Sequence, residues 1–251
     1  ALHAAYLEQA VAIEDGHLDG VCALARSRGI AVVLGIVERP ADRGAHSLYC
    51  SLVTILADGT IASVHRKLVP TYEERLAWAP GDGHGLAVHR LGAFRLGALN
   101  CWENWMPLAR AALHAQGEDL HVAAWPGSVR NTEDITPFLA KEARSFVISA
   151  SSVLRREDIP GPMPEREAIL AAAPGILADG GSCIAAPDGG WVVEPVVGEE
   201  RLITAELDPA RVREERQNFD PSGHYSRPDV TRLVVNRERH AVVQEASDAD
   251  A

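Results

Sequence analysis

The sequence predicts an α/β layered fold. Strand-like apolar runs alternate with segments of helical spacing, and hairpin signals are inserted between them. No internal repeat or linker divides the chain. With 251 residues, 47% of them hydrophobic, the chain has enough apolar side chains for one large core. We therefore expect a single domain over residues 1–251, with an extended tail from about residue 219 to residue 251.

The first third of the chain predicts a helix, a strand and a hairpin. Apolar residues at helical spacing predict a helix over His17–Arg28, and the β-branched run Ile30–Val37 predicts a strand buried on both faces. Asp58 and Gly59 separate two strand-like runs, and glycine accepts the positive φ of a tight turn. The proline- and glycine-containing segment Leu68–Gly85 predicts a loop.

The remainder predicts strands alternating with helices. Pro107 suits the first turn of a helix that ends before Gly117, and further helices are expected over Thr132–Ser145 and Pro209–Gln217. The segment Arg155–Pro174 contains several prolines and predicts a loop. The last seven residues are expected to fray. Strands are predicted over Leu86–Leu91, Phe94–Asn100, Leu120–Trp125, Phe146–Leu154, Ser182–Ala186, Trp191–Val197 and Leu202–Leu207.

Composition excludes several classes of protein. The net charge of −11 and the lack of a Lys/Arg cluster argue against a nucleic-acid-binding protein. No apolar run reaches the roughly 18–20 residues of a membrane span, and no signal peptide is recognisable. The cysteines are widely spaced without a C-x-x-C pair, which argues against a zinc ribbon or a disulfide scaffold. Reduced thiols in a cytoplasmic protein are expected for Cys22, Cys50, Cys101 and Cys183.

Cys101 stands where a nucleophile is useful. It lies between the strand-like FRLGALN and the helix opened by Pro107. A sharp strand-to-helix turn exposes a side chain and aims backbone N–H groups at a developing anion. Position alone leaves a second interpretation open, because cysteines are among the residues most often buried in cores. The other three cysteines lie inside apolar patterns, which favour the core.

Four motifs connect the chain to a known family. GALNCWENWMPLARAAL resembles the nucleophile motif of the nitrilase branch of the carbon–nitrogen hydrolase superfamily. HRKLVPTYEERLAWAPGDG is similar to the segment that carries the catalytic lysine in that family, and HVAAWPG to the strand after the nucleophile helix. GHYSRPDV resembles a tail motif of nitrilases and cyanide-degrading relatives. The resemblance runs from about Leu18 to Val235, with the motifs in the family's order.

The resemblance implies the fold and the site residues. The fold it implies is a four-layer αββα sandwich. Carried over by position, the nucleophile is Cys101, the lysine is Lys67, and Glu74 is a second glutamate close to both. Trp102, Trp125 and Tyr72 are expected to bind substrate.

Other interpretations remain open for most of these residues. Without the family, Lys67 would be a surface lysine at a strand end and Glu74 a loop acid paired with Arg75. The tryptophans Trp102, Trp105 and Trp125 would be core aromatics.

The implied chemistry is nitrile hydrolysis through a covalent intermediate. A thiolate attacks the nitrile carbon to form a thioimidate, water releases ammonia to leave a thioester, and a second water yields the carboxylic acid. Because a free thiol titrates near pH 8.5, a neighbouring ammonium such as that of Lys67 would favour the thiolate and stabilise the anionic intermediate. No cofactor is expected, and no metal, since the histidines fit no ligand spacing.

One family residue has no counterpart in the sequence. The general base is expected in an F-P-E motif on an N-terminal strand, and residues 1–16 contain no such motif. Glu8, Glu14 and Glu38 are not assigned this role, because each aligns with a later part of the family pattern. We therefore expect the chain to lack the family's N-terminal segment, including its first strands and helix.

Two alternatives to a nitrilase remain open. The same scaffold could hydrolyse cyanide or an amide, or the chain could be a non-catalytic protein that serves assembly or ligand binding. A papain-like protease is disfavoured, because no matching Cys-then-His arrangement appears. The expected partners are a small nitrile and further copies of the chain, in dimers or spiral oligomers.

Overall fold

A computed structural model describes residues 1–243. The expected fraying of the last seven residues falls outside this range. The chain forms two compact units, which we call the large unit (Ala1–Ala5 and Leu86–Val235) and the small unit (Tyr6–Gly85 and the described residues from Asn236). The single domain and the tail boundary stay predictions.

The small unit is a three-stranded antiparallel sheet with a helix packed against it. The strand order is β1-β2-β3, and apolar side chains of the helix and the strands share one core that includes Leu18, Ala25, Val53 and Ile55. The β2–β3 turn contains Gly59 at φ 82°, as the hairpin signal predicts. Helix α1 (Leu2–Glu8) comes first in the chain, and its residues are divided between the two units. The elements of the small unit are α2 (Asp19–Arg28), β1 (Val32–Glu38), β2 (Tyr49–Ile55) and β3 (Ile61–Arg66).

Strand β1 corrects one prediction from the sequence. The run Ile30–Val37 was expected to be buried on both faces, but its side chains are mostly half-buried, and Gly35 is exposed. The reason is position, because β1 lies at the edge of the sheet and pairs with β2 alone in this sheet order. A continuous apolar run does not distinguish an edge strand from a central one.

The end of the described chain packs onto the small unit. The carboxylate of Asp82, 4% exposed, accepts hydrogen bonds from Arg239 Nη1 and from the backbone N–H of His240, both at 3.0 Å. Arg239 also donates to the carbonyl of Val64 at 2.8 Å. The backbone of Asn236 lies where a side chain on Gly83 would be. Asp82 therefore anchors this segment.

The large unit is built on one mixed sheet in the order β10-β9-β7-β6-β5-β4, with β8 paired to β9. Strands β5, β6 and β7 run parallel, and each parallel connection contains a helix. The elements are β4 (His89–Leu91), β5 (Phe94–Asn100), α3 (Pro107–His114), β6 (Leu120–Trp125), α4 (Ile135–Ala143), β7 (Phe146–Ser151), β8 (Val153–Arg155), α5 (Arg166–Ala172), β9 (Ile176–Ala185), β10 (Trp191–Val197) and α6 (Pro209–Arg216).

Several boundaries differ from those predicted. Helix α4 begins at Ile135 rather than Thr132, because the Thr132 hydroxyl is buried and donates to the carbonyl of Gly181 at 2.7 Å. The predicted strand Phe146–Leu154 is divided into β7 and β8, and β9 begins at Ile176, earlier than expected. Its partners account for this extension, since β9 pairs with β7, β8 and β10.

Two segments were assigned the wrong type. The predicted loop Arg155–Pro174 contains helix α5, whose sequence REAILAA consists mostly of strong helix formers between proline-containing stretches. The predicted strand Leu202–Leu207 forms none, and Leu202 is 89% exposed. Alternating apolar residues make a strand only when a neighbouring strand pairs with them. Among the described residues, no helix combines the length and apolar character needed to cross a bilayer.

Candidate active site

Cys101 lies immediately after β5, in a strained conformation. It is the first residue of a 3-10 turn, Cys101–Trp105, and its φ is +50°, in the left-handed region that non-glycine residues seldom adopt. Its parallel partner β6 also ends at this side of the sheet, where α/β proteins place their ligands. The side chain is 9% exposed. Such strain persists only where the surrounding structure enforces it.

A capping box and the proline that opens α3 border the turn after Cys101. The N–H of Asn100 donates to Glu103 Oε2 at 3.0 Å, in a capping box, and Pro107 opens α3 directly afterwards. Glu103 is 1% exposed and therefore belongs to the frame of the turn. Glu103 and Pro107 together fix where β5 ends and α3 begins.

Asn104 joins the turn to a buried polar network that sequence reasoning missed. Its Nδ2 donates to the carbonyls of Leu99 and Cys101, at 3.2 and 2.9 Å, and its Oδ1 lies 2.7 Å from His121 Nε2. His121 Nδ1 lies 2.7 Å from Glu118 Oε1. One signal was available in the sequence, because His121 is a polar residue within an otherwise apolar strand.

An ion pair between the buried Arg110 and the half-buried Glu142 supports the same turn. Arg110 donates to Glu142 through Nε at 2.5 Å and Nη2 at 2.8 Å, and its Nη1 donates to the carbonyl of Asn104 at 2.9 Å. Arg110 on α3 and Glu142 on α4 thus connect the two helices to the backbone beside Cys101. A paired guanidinium satisfies this geometry because its donors form a fixed fork.

The tryptophans differ in environment. Trp125 is buried, packs in one cluster with Cys101, Ala123 and Ile135, and donates from Nε1 to Ser149 Oγ at 3.2 Å. Trp102 and Trp105 are 48% and 52% exposed and stack on each other, with ring centroids 5.7 Å apart. The interpretation of these two as core aromatics is therefore wrong. Of the aromatic residues predicted to bind substrate, Trp125 is one that packs in the same cluster as Cys101.

Lys67 and Glu74 meet in the small unit. Lys67, only 1% exposed, places Nζ 2.6 Å from Glu74 Oε2 and 3.2 Å from Thr71 Oγ1. The same Oε2 accepts from the N–H of Thr71 at 2.6 Å, at the start of the 3-10 turn Tyr72–Leu76. The alternative that made Lys67 a surface lysine is wrong. Lys67 is therefore a buried side chain whose Nζ is held by a carboxylate and a hydroxyl.

Neighbouring residues complete this turn. Glu74 is not paired with Arg75 as the alternative proposed, since Arg75 Nε donates to the carbonyl of Pro70 at 3.0 Å and Glu74 holds Lys67. Tyr72, predicted to bind substrate, has a φ of +45° and is 75% exposed. The structure therefore brings Lys67 and Glu74 together in one unit, and Cys101 and Trp125 together in the other.

Glu38 has a structural role. It is 3% exposed, accepts from Ser51 Oγ at 2.6 Å, and pairs with Arg66 at 2.8 Å. Burial by itself lowers the pKa of Arg66, but the hydrogen bonds and charges of Glu38 and Asp42 outweigh it and raise that pKa above its usual value. Glu38 is therefore engaged by Arg66 and Ser51 within the small unit, and its exclusion as the general base stays a prediction.

None of the four cysteines, all of which lie in the described part of the chain, forms a disulfide. Cys183 is buried, and burial raises the pKa of its thiol, which disfavours the reactive thiolate. Cys22 and Cys50 are half-buried rather than fully in the core. Across the part of the chain that the structure describes, no three His, Cys, Asp or Glu side chains are arranged to hold a metal ion.

Comparison with known proteins places this geometry in a family. The family model described as carbon-nitrogen hydrolase matches residues 1–217. The chain is 38% identical over 252 residues to "Nitrilase 2" from an unknown prokaryotic organism, covering 99% of this chain and 78% of that protein. It is 36% identical over 249 residues to an aliphatic nitrilase from Sinorhizobium fredii (strain HH103), covering 96% and 76%.

A solved structure supports the fold independently. The carbon–nitrogen hydrolase from Helicobacter pylori G27 aligns with a TM-score of 0.67 at 22% identity, covering 86% of this chain and 74% of that chain. The predicted α/β fold of this family is therefore confirmed. The chain belongs to the carbon–nitrogen hydrolase family. Within it, the protein is a nitrilase-type hydrolase that acts on carbon–nitrogen bonds.

Proposed function

We propose that this protein converts a nitrile and two waters to a carboxylic acid and ammonia, with Cys101 as the nucleophile. The observation that carries the proposal is the left-handed conformation of Cys101 at the end of β5, which the frame of the turn enforces. A cysteine that only filled the core would need no such strain. The similarity to proteins named nitrilases supports nitriles as the substrate class.

Cys101 forms and breaks the covalent bond. Its sulfur attacks the nitrile carbon, and a proton passes to the nitrogen to give a thioimidate. Water adds, the carbon–nitrogen bond breaks, and ammonia leaves a thioester. A second water then displaces the sulfur and yields the acid. The N–H of Trp102, next in the 3-10 turn, is the backbone donor proposed for the developing negative charge.

Lys67 supplies the cation. Among the described residues, Glu74 and Thr71 engage two of the three Nζ–H donors, which leaves one for an anionic intermediate. Glu74 fixes the direction of the ammonium, and the burial of Lys67 strengthens its field because little water screens it. Preorganised donors of this kind are worth roughly 10²–10³-fold in kcat each.

Ammonia release tests the proposal. The purified protein is assayed with aliphatic and aromatic nitriles, cyanide and the matching amides, while chromatography quantifies acid and amide products. We expect ammonia and acid from at least one nitrile and none from Cys101→Ala. The matched control is Cys22→Ala, a cysteine on α2, which should retain activity.

The assay also separates the alternatives. Ammonia from cyanide or amides but from no nitrile would replace the proposed substrate class. A folded protein that releases no ammonia, and whose Cys101 is alkylated no faster than Cys183, would support the non-catalytic interpretation and contradict the proposal.

A further inference from the structure

We infer that Asn104, His121 and Glu118 form a positioning network that holds the backbone of Cys101 in its reactive conformation. The inference rests on the proposed function, because it assigns these residues a role only if Cys101 is the nucleophile. None of the three is proposed to touch the substrate. They act through the carbonyl group of Cys101.

The first link is the side-chain amide of Asn104. It is 0% exposed, and its Nδ2 donates to the carbonyl groups of both Leu99 and Cys101. These two carbonyls flank Asn100, where the chain passes from the extended strand into the left-handed conformation of Cys101. One amide therefore ties together the two sides of the bend. A left-handed non-glycine residue costs about 1–2 kcal/mol, so it requires such a tie.

The orientation of that amide is fixed by donor and acceptor identity. If the amide were rotated by 180°, its oxygen would face two carbonyl oxygens, and three acceptors would meet without a proton. Asn104 Oδ1 must therefore face His121, and His121 Nε2 must carry the proton between them. His121 selects the orientation of Asn104, and Asn104 in turn holds Cys101.

The second link is the pair His121 and Glu118. Since Nε2 is protonated, Nδ1 faces Glu118 Oε1 at 2.7 Å, and a proton must lie between them as well. His114 Nε2 lies 3.9 Å from the other oxygen of Glu118, and burial lowers the pKa of this histidine, which favours its neutral form.

The network is isolated from water, so its hydrogen bonds cannot be replaced by solvent. His121 is 4% exposed and Glu118 is 0% exposed. Arg216 holds the carbonyl of Glu118 from α6. Gly97 on β5, opposite His121 in the register, leaves room for the Glu118 carboxylate, and a Cβ at Gly97 would overlap Oε1. A side chain at position 97 would therefore displace Glu118 from His121.

Two substitutions break the network at different links. Asn104→Asp keeps the shape but replaces the donor with a carboxylate that repels the carbonyl of Cys101. Gly97→Ala leaves the identity of all three network residues unchanged but displaces the carboxylate of Glu118, because the new Cβ would overlap Oε1. We expect kcat per active site to fall roughly 10²-fold for Asn104→Asp and less for Gly97→Ala, with KM nearly unchanged, because misplacement of the nucleophile by about 1 Å costs this much.

Glu118 allows a test by conservative rescue. Glu118→Leu leaves Nδ1 of His121 without a partner, so kcat should fall. Glu118→Gln can donate its amide to Nδ1 while Nε2–H still faces Asn104, so it should restore most of the activity lost in Glu118→Leu. A role limited to packing would not distinguish donors from acceptors in this way.

The experiment measures KM, the Tm and kcat per active site. The number of active sites is counted by stoichiometric alkylation of Cys101. Thr132→Val is the matched control, because it removes another buried hydrogen bond in the same unit, from Thr132 to Gly181. It should lower the Tm and leave kcat per active site unchanged. If Asn104→Asp and Glu118→Leu also change only the Tm, the inference is wrong. If the wild type itself releases no ammonia, the proposed function fails first.

Discussion

At the residue scale, the charge of Lys67 is the feature easiest to isolate. Lys67→Met keeps a long unbranched side chain but removes the cation beside Glu74. We expect kcat to fall roughly 10²–10³-fold, as when a preorganised donor is lost, and alkylation of Cys101 to slow. Glu74 has 26% of its side chain exposed and can rehydrate, so the stability loss should stay below the roughly 3–5 kcal/mol of a broken, fully buried pair.

The chain offers a close control for this variant. Lys141→Met removes the charge of an exposed lysine on α4. Steady-state kinetics and the Tm of both variants are compared with those of the wild type. Equal, small effects from the two substitutions would show that Lys67 has no catalytic role.

At the element scale, the anchoring of the segment Asn236–His240 by Asp82 should depend on pH. Burial by itself raises the pKa of Asp82, but the hydrogen bond from the His240 N–H and the charge of Arg239 outweigh it and leave the pKa below its ordinary value of 3.8. A depressed carboxyl pKa contributes stability that is present above pH 3.8 and lost as the pH falls through the folded-state value. The segment should therefore stay docked at neutral pH and loosen in acid.

Asp82→Asn tests, at neutral pH, whether the Asp82 carboxylate anchors the segment Asn236–His240. The amide cannot accept from both Arg239 and His240 as the carboxylate does, so the backbone N–H of His240 should exchange with solvent faster. Hydrogen exchange measured by mass spectrometry follows the segment, with Asp188→Asn, in the turn between β9 and β10, as the control. Unchanged exchange in Asp82→Asn would contradict the anchoring role.

The elements themselves were largely predictable because their signals are local. Gly59 and Pro107 mark a hairpin turn and a helix start, as expected from their backbone preferences. Helix α5 was missed because the flanking prolines outweighed its helix formers. The segment Leu202–Leu207 was wrongly predicted to be a strand, because strand formation depends on a partner strand elsewhere in the chain.

At the scale of the whole molecule, the family could be predicted from motifs, whereas the catalytic roles of Cys101, Lys67 and Glu74 stay predictions. The environment of these three residues could not be predicted, because burial depends on residues distant in sequence. The motif contains Thr71 and Glu74, which bond to Lys67, but it does not show that the Lys67 side chain is buried. The contacts of Asn104 with His121 join β6 to the turn after β5, and no periodicity encodes such a pairing.

The most direct test of the central claim is the covalent intermediate on Cys101. The protein is incubated with an electrophilic nitrile that it hydrolyses, quenched in acid, and analysed by intact mass and peptide mapping. We predict a mass increase equal to the thioester or thioimidate, located on the peptide that contains Cys101 and absent from Cys101→Ala. Turnover of the nitrile without an adduct on Cys101, or with an adduct on Cys22, Cys50 or Cys183, would contradict it.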